Sequence, residues 1–101
     1  MMFLKTRPFR SNRYLAHVRR FPCLATGCEA PPPSEAHHWN PSQTAMGRKC
    51  GDEYTLPLCR RCHRHFHDTG TLPRLDRQET ELCFVNAQRH LLAAYVRETG
   101  A

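Results

Sequence analysis

Two short-spaced cysteine pairs, Cys23-x4-Cys28 and Cys59-x2-Cys62, stand thirty residues apart in a chain of 101 residues. No other feature constrains the fold as strongly. One ion taking all four thiolates in a tetrahedron pins two distant loops together and stands in for part of a core. Six cysteines in so short a chain could instead form disulfides, and the compartment decides between the two. Met1 to Arg10 reads MMFLKTRPFR, without the apolar stretch of a secretory signal. The expectation is therefore a cytoplasmic chain with reduced thiols and a structural zinc at Cys23, Cys28, Cys59 and Cys62. Gly27 permits the tight turn of the first pair. The second pair follows Pro57-Leu58, where a helix is expected to begin, and a helix N-terminus favours the thiolate. Cys50 and Cys83 lack a nearby partner: Cys83 is expected in the core of the last helix, and Cys50 as an exposed loop thiol.

The length is one domain's worth, 1–101, with a small core that benefits from such a staple. Mean hydropathy is −0.67, and no apolar run approaches the roughly 20 residues of a membrane span. Fifteen Lys and Arg against nine Asp and Glu give a formal +6, which suits a polyanionic partner. The chain divides into a basic segment 1–22 without acids, a Cys/His-rich middle 23–70, and a C-terminal helix over 76–98. In the first segment Ser11 is placed to cap a short helix with Tyr14, Leu15 and Val18 on one face. In the last, Asp76-Arg77-Gln78-Glu79 has capping-box character. Leu82, Val85, Leu92 and Tyr95 then recur at near-helical spacing, and Gly100 ends the helix.

A second constellation consists of His37-His38 and His63-x3-His67. His63 and His67 are i and i+4, so on a helix over 59–68 they share one face and can bind one ion together. His65 falls on the far side, Arg60 and Arg64 flank the pair, and Phe66 turns toward the core. Adjacent strand residues point to opposite faces, so His37 and His38 are not expected to do the same job. Trp39 is expected in the core under the hairpin, with stacking on a nucleotide as the alternative.

Taken together, Pro22-Cys23, Ala36-His37-His38, Gly47-Arg48-Lys49, Asp52 and the run Pro57-Leu58-Cys59-Arg60-Arg61-Cys62-His63-x3-His67 resemble the HNH (ββα-metal) endonuclease superfamily. The stretch from about Val18 to Thr69, roughly half the chain, is most similar to the small phage HNH nucleases, including the Ref-like recombination nucleases. The resemblance implies an α+β, zinc-stapled ββα-metal (HNH, or His-Me finger) domain with flanking N- and C-terminal helices. Its hairpin is expected near 34–39 and 53–56. It also implies His37 as a ligand of a catalytic divalent metal, His38 as general base, and His63 and His67 as further ligands. The family's middle Asn, nine residues before the first helical His, falls on Tyr54 here. What orients His38 is then open between a carbonyl in the 40–52 loop and Asp52.

The implied activity is metal-dependent hydrolysis of DNA phosphodiester bonds, leaving 5′-phosphate and 3′-hydroxyl ends, in a bacterial or phage-encoded protein. Neutral imidazole can take a proton from water near pH 7. Three imidazoles suit Zn, Ni, Mn or Co better than Mg, which prefers oxygen ligands. Arg48, Lys49, Arg60 and Arg64 lie near this site in sequence, and Arg7, Arg10 and Arg13 offer a second run of phosphate contacts. Arg74, Arg77, Arg89 and Arg97 read as ordinary solubilising surface. The rival reading is a zinc-knuckle nucleic-acid-binding module without catalysis, which has no need of His38 or of a second metal set. A zinc-stabilised protein–protein adaptor leaves the charge unexplained.

Overall fold

A two-stranded antiparallel sheet, β1 (Glu35–His38) against β2 (Thr55–Leu58), sits at the centre of an α+β arrangement. The computed structural model describes residues 9–39 and 51–100, so the expectations for Arg7, Arg48, Lys49 and Cys50 lie outside the described residues. The register pairs Glu35 with Leu58, His37 with Leu56 and His38 with Thr55. One further rung runs from the Trp39 N–H to the Tyr54 carbonyl at 2.8 Å. β1 falls within the stretch expected from the sequence, whereas β2 begins two residues later than expected. Asp52–Tyr54 instead form a 3₁₀ turn, closed by the Thr55 hydroxyl donating to the Asp52 carbonyl at 2.6 Å. Local side-chain bonding of this kind competes with the ladder.

Three helices among the described residues cover the sheet. α1 (Asn12–Arg19) starts at Ser11, whose hydroxyl accepts the Tyr14 N–H at 3.0 Å. Tyr14 and Val18 are fully buried, as their spacing requires. His17 is buried beside them, which the sequence did not suggest. Its Nε2 donates to the Leu91 carbonyl at 3.0 Å and its Nδ1 faces the Glu98 carboxylate at 3.3 Å. α2 (Arg60–Thr69) begins after Cys59 and ends at Gly70, whose φ of 78° is the left-handed conformation glycine adopts without strain.

α3 (Arg77–Thr99) opens on the capping box: Asp76 accepts the Glu79 N–H at 2.8 Å, and Glu79 accepts the Asp76 N–H at 2.9 Å. The Thr80 hydroxyl accepts the Leu72 N–H at 3.0 Å and fixes this end of the helix to the preceding loop. The buried face of α3 is Thr80, Phe84 and Leu91. Leu82 and Val85, picked out by periodicity, are 69% and 44% exposed. Phe84 stacks edge-on to Trp39 at 5.5 Å and lies 5.2 Å from Phe66, with Leu56, Leu58 and Leu72 completing the core. Among the described residues no helix is long and apolar enough to cross a membrane.

Candidate functional site

The four cysteines of the sequence motif converge. The Cys23 N–H donates to the Ala30 carbonyl and the Cys28 N–H to the Ala25 carbonyl, both at 3.0 Å, closing a knuckle that Gly27 turns at φ 80°. The Leu24 N–H fastens this knuckle to β2 through the Pro57 carbonyl at 3.0 Å. Across from it Cys59 caps α2, its sulfur accepting the Cys62 N–H at 3.5 Å. All four Sγ atoms lie within 4.8 Å of one another, and Cys28 and Cys59 are 3.6 Å apart. A tetrahedral ion at about 2.3 Å from each sulfur needs edges of about 3.8 Å. The donor set therefore fits a structural metal such as zinc. The Ala30 N–H holds the Cys28 thiol down at about 7, ready to ligate, while burial pushes Cys23 and Cys62 up. A bound cation would supply the compensation that thiolates buried there need. Cys83 stands apart, half-buried against the core.

One strand residue further along, the alternation of β1 separates the two adjacent histidines. His37 turns inward and is 6% exposed. Its ring lies 4.5 Å from that of His63 and 6.4 Å from that of His67, which are themselves 5.6 Å apart. Phe66 covers His37 at 4.9 Å. The Nε2 of His37 is buried without a hydrogen-bond partner. Burial, reinforced by His63, His67 and His38, drives its pKa down to about 4, so the ring carries a free lone pair at neutral pH. His63 donates from Nδ1 to Glu35 at 2.8 Å, which leaves its own Nε2 as the open nitrogen. An orphaned, neutral, buried imidazole nitrogen beside two further imidazoles suits a metal ligand. The three rings nevertheless approach less closely than the cysteines, which form the set among the described residues with all ligand atoms within 4.8 Å. His65 faces away, bonded to the Thr71 carbonyl at 2.9 Å.

His38 points to the other side, half-exposed, with Nε2 at 2.9 Å from Asp52 Oδ1. A carboxylate only accepts, so Nε2 holds the proton and Nδ1 keeps the lone pair. Asp52 itself is 4% exposed and is further held by the Ser11 N–H at 2.8 Å on Oδ2 and by Arg10 at 3.3 Å on Oδ1. Burial opposes its charge, but the bonds from His38, Ser11 and Arg10 outweigh that and keep its pKa below the ordinary value. Of the two candidates the sequence left open for orienting His38, the described residues contain the Asp52 contact. Tyr54 packs near Trp39, with ring centroids 6.1 Å apart.

The basic residues divide. Arg60 and Arg64 line a hollow of about 360 Å³ with Glu35, His63, His67 and Asp68. Arg13 is exposed on α1. Arg10, expected on a phosphate, spends at least part of its charge on Asp52, because the cap of α1 abuts the 3₁₀ turn. Arg77, read from the sequence as plain surface, lines a cleft of about 490 Å³ together with His37, His38 and His67. That placement depends on where α3 docks, and no local signal in the sequence announces it.

No solved structure matches the chain. Over 83 residues, 81% of this chain, it is 34% identical to the uncharacterized protein YdfU of Escherichia coli strain K12. The matched stretch is 23% of YdfU, so the chain spans about a quarter of that relative's length. The family model described as "Protein of unknown function (DUF968)" matches residues 1–72, which contain α1, the four cysteines, β1, β2, α2 and all of His37, His38, Asp52, His63 and His67. The chain belongs to this family.

Proposed function

We propose that the protein is a metal-dependent endonuclease of the HNH type acting on DNA. The observation that carries the reading is the division of labour between adjacent histidines. His38 is oriented by a buried carboxylate with Nδ1 free, while His37 carries an orphaned, buried Nε2 on a ring that lies 4.5 Å from that of His63 and 6.4 Å from that of His67. A pure binding module needs neither arrangement. Asp52 fixes the tautomer of His38 and stabilises the imidazolium that forms when Nδ1 takes a proton, as a carboxylate does for a catalytic imidazole elsewhere. The proton comes from a water whose oxygen forms a bond to phosphorus as the bond to the 3′-oxygen breaks. The departing 3′-oxygen takes a proton from solvent to leave as a hydroxyl, and His38 returns its own proton to solvent. A divalent ion held by His37, His63 and His67 would supply Lewis-acid charge for the phosphate and the departing oxygen. Glu35 keeps His63 in the tautomer that ligation requires. Arg60 and Arg64 draw the polyanion to this face. The four-cysteine cluster takes a zinc that holds the knuckle, β2 and α2 in place around the histidines. On this reading the chain works in the reducing cytoplasm of a bacterium or a phage-infected cell.

The second reading, a zinc-knuckle nucleic-acid-binding module without catalysis, draws support from the looser approach of the three imidazoles. Incubating plasmid with the purified protein and Mn, Ni, Zn or Mg, with a chelator control, separates the two. The nuclease reading expects metal-dependent nicking or linearisation; binding without any strand cleavage under all four metals supports the second reading.

A further inference from the structure

The cleft beside the histidines has a wall contributed by α3, which lies outside the residues matched by the family model. Arg77 and Glu81 on that wall are spaced i and i+4, where they could pair, yet neither side chain has a hydrogen bond or ion pair among the described residues. Arg77 is exposed while Glu81 is half-buried. The wall is rigidly held: the Asp76–Glu79 capping box fixes the first turn, Thr80 bonds the Leu72 N–H, and Phe84 packs against Trp39 and Phe66. With the backbone already fixed, only the side chain of Arg77 has freedom left to lose when its guanidinium meets a phosphate. His67 lines this cleft and also the hollow that holds Arg60 and Arg64. Cations therefore stand on both sides of one histidine.

Resting on the nuclease reading, we propose that one nucleic-acid backbone crosses His67 between these two hollows. Arg77 grips a phosphate next to the one that is cut, and Arg60 and Arg64 hold the strand on the other side. Arg77 is thus a positioning residue that α3 adds to the site. Glu81 keeps the inner part of the cleft unfavourable to a phosphate, so the backbone stays near its rim.

The test uses the full chain and a short fluorescent DNA duplex, with binding read by anisotropy without added divalent metal at several salt concentrations. Arg77→Gln is expected to weaken binding about tenfold at low salt, the scale of one charge-assisted contact. It should also flatten the slope of log K against log salt by about 0.9, one phosphate's worth. Arg77→Lys should keep the slope. Arg89→Gln, twelve residues or about 18 Å farther along α3, should leave both unchanged. Glu81→Gln should tighten binding. In cleavage with Mn, Arg77→Gln should raise KM and leave kcat nearly intact, because a neighbouring phosphate is held equally in ground and transition states. Wild-type slope and affinity in Arg77→Gln, while the unsubstituted protein binds and cuts, overturn this assignment alone. A collapse of kcat with unchanged KM overturns it too, by putting Arg77 on the scissile phosphate. Failure of the unsubstituted protein to bind duplex overturns the nuclease reading itself. Equal melting temperatures for all the variants keep these comparisons free of folding defects.

Discussion

Replacing Asp52 with Asn changes one oxygen to a nitrogen in a nearly closed site, and every partner there is a donor. Oδ1 faces Arg10 and the Nε2 of His38, and Oδ2 faces the Ser11 N–H. If the amide keeps its oxygen toward His38, its NH₂ meets the Ser11 N–H, and a buried donor at the start of α1 loses its acceptor. If the amide flips, its NH₂ faces Nε2, the imidazole proton must move to Nδ1, and the atom proposed as the base is blocked. The first outcome forfeits a charge-assisted bond of about 2 kcal/mol. For a domain of this size that is a fall of roughly 8–16 °C in melting temperature. Both outcomes remove the charge that stabilises an imidazolium, so metal-dependent cleavage should drop by about 10²-fold or more. The structural zinc should stay bound. Acid behaviour gives an independent check. The folded-state pKa of Asp52 is depressed below 3.8, so its stabilisation is present above that value and is lost as pH falls through the lower folded one. Asp52→Asn should lack this acid-dependent loss. The assays are thermal melts from pH 2 to 7, zinc content, and plasmid cleavage with Mn. A variant that melts lower but cuts at the wild-type rate would refute the claim that Asp52 serves His38.

Other perturbations test other parts. Cys59→Ser should lower both bound zinc and melting temperature, since structural zinc contributes about 10–16 kcal/mol against a typical total stability of about 5–15. Cys83→Ser should leave zinc content unchanged, as measured by metal analysis of the purified proteins. Phe84→Ala removes a fully buried ring packed on Trp39 and Phe66 and should cost about 3–5 kcal/mol in urea unfolding. His37 titrates at about 4 when folded against 6.5 when unfolded, so on acidification the unfolded chain takes up the proton first. Stability without added divalent metal should therefore be full above pH 6.5 and fall by about 3 kcal/mol toward pH 4, and His37→Phe should flatten that decline.

What the sequence disclosed was whatever rests on short spacings. The Cys23/Cys28 and Cys59/Cys62 pairs, the His63–His67 face of α2, the Ser11 cap and the Asp76–Glu79 box are local patterns with local physics, and the structure assembles each of them. The alternation of β1 separated His37 from His38 for the same reason. What it did not disclose depends on docking. Asp52 was one of two candidates for orienting His38, but the sequence could not choose between partners fourteen residues apart, nor show that the same carboxylate serves α1 forty-one residues away. The 3₁₀ turn that delivers Asp52 also delayed β2. On α3 the polar Thr80 takes a core position because it satisfies the Leu72 N–H, while Leu82 and Val85 face out, so hydrophobic periodicity held for Tyr95, which packs on Tyr14, and failed in the first half of the helix. Arg77 and buried His17 belong to the same class: their placements follow from where α3 lies against the rest of the chain.

The central claim is that adjacent histidines divide into base and ligand, and cleavage rate against metal concentration for His38→Ala, His37→Ala and His63→Ala tests it most directly. The account predicts that His38→Ala retains metal affinity and DNA binding yet loses about 10²–10⁴-fold in rate at every metal concentration. His37→Ala and His63→Ala should lose affinity for the added metal and recover part of their activity when it is raised. Rescue of His38→Ala by excess metal with none for His37→Ala would reverse the two roles, and undiminished cleavage in all three would place the chemistry elsewhere in the molecule.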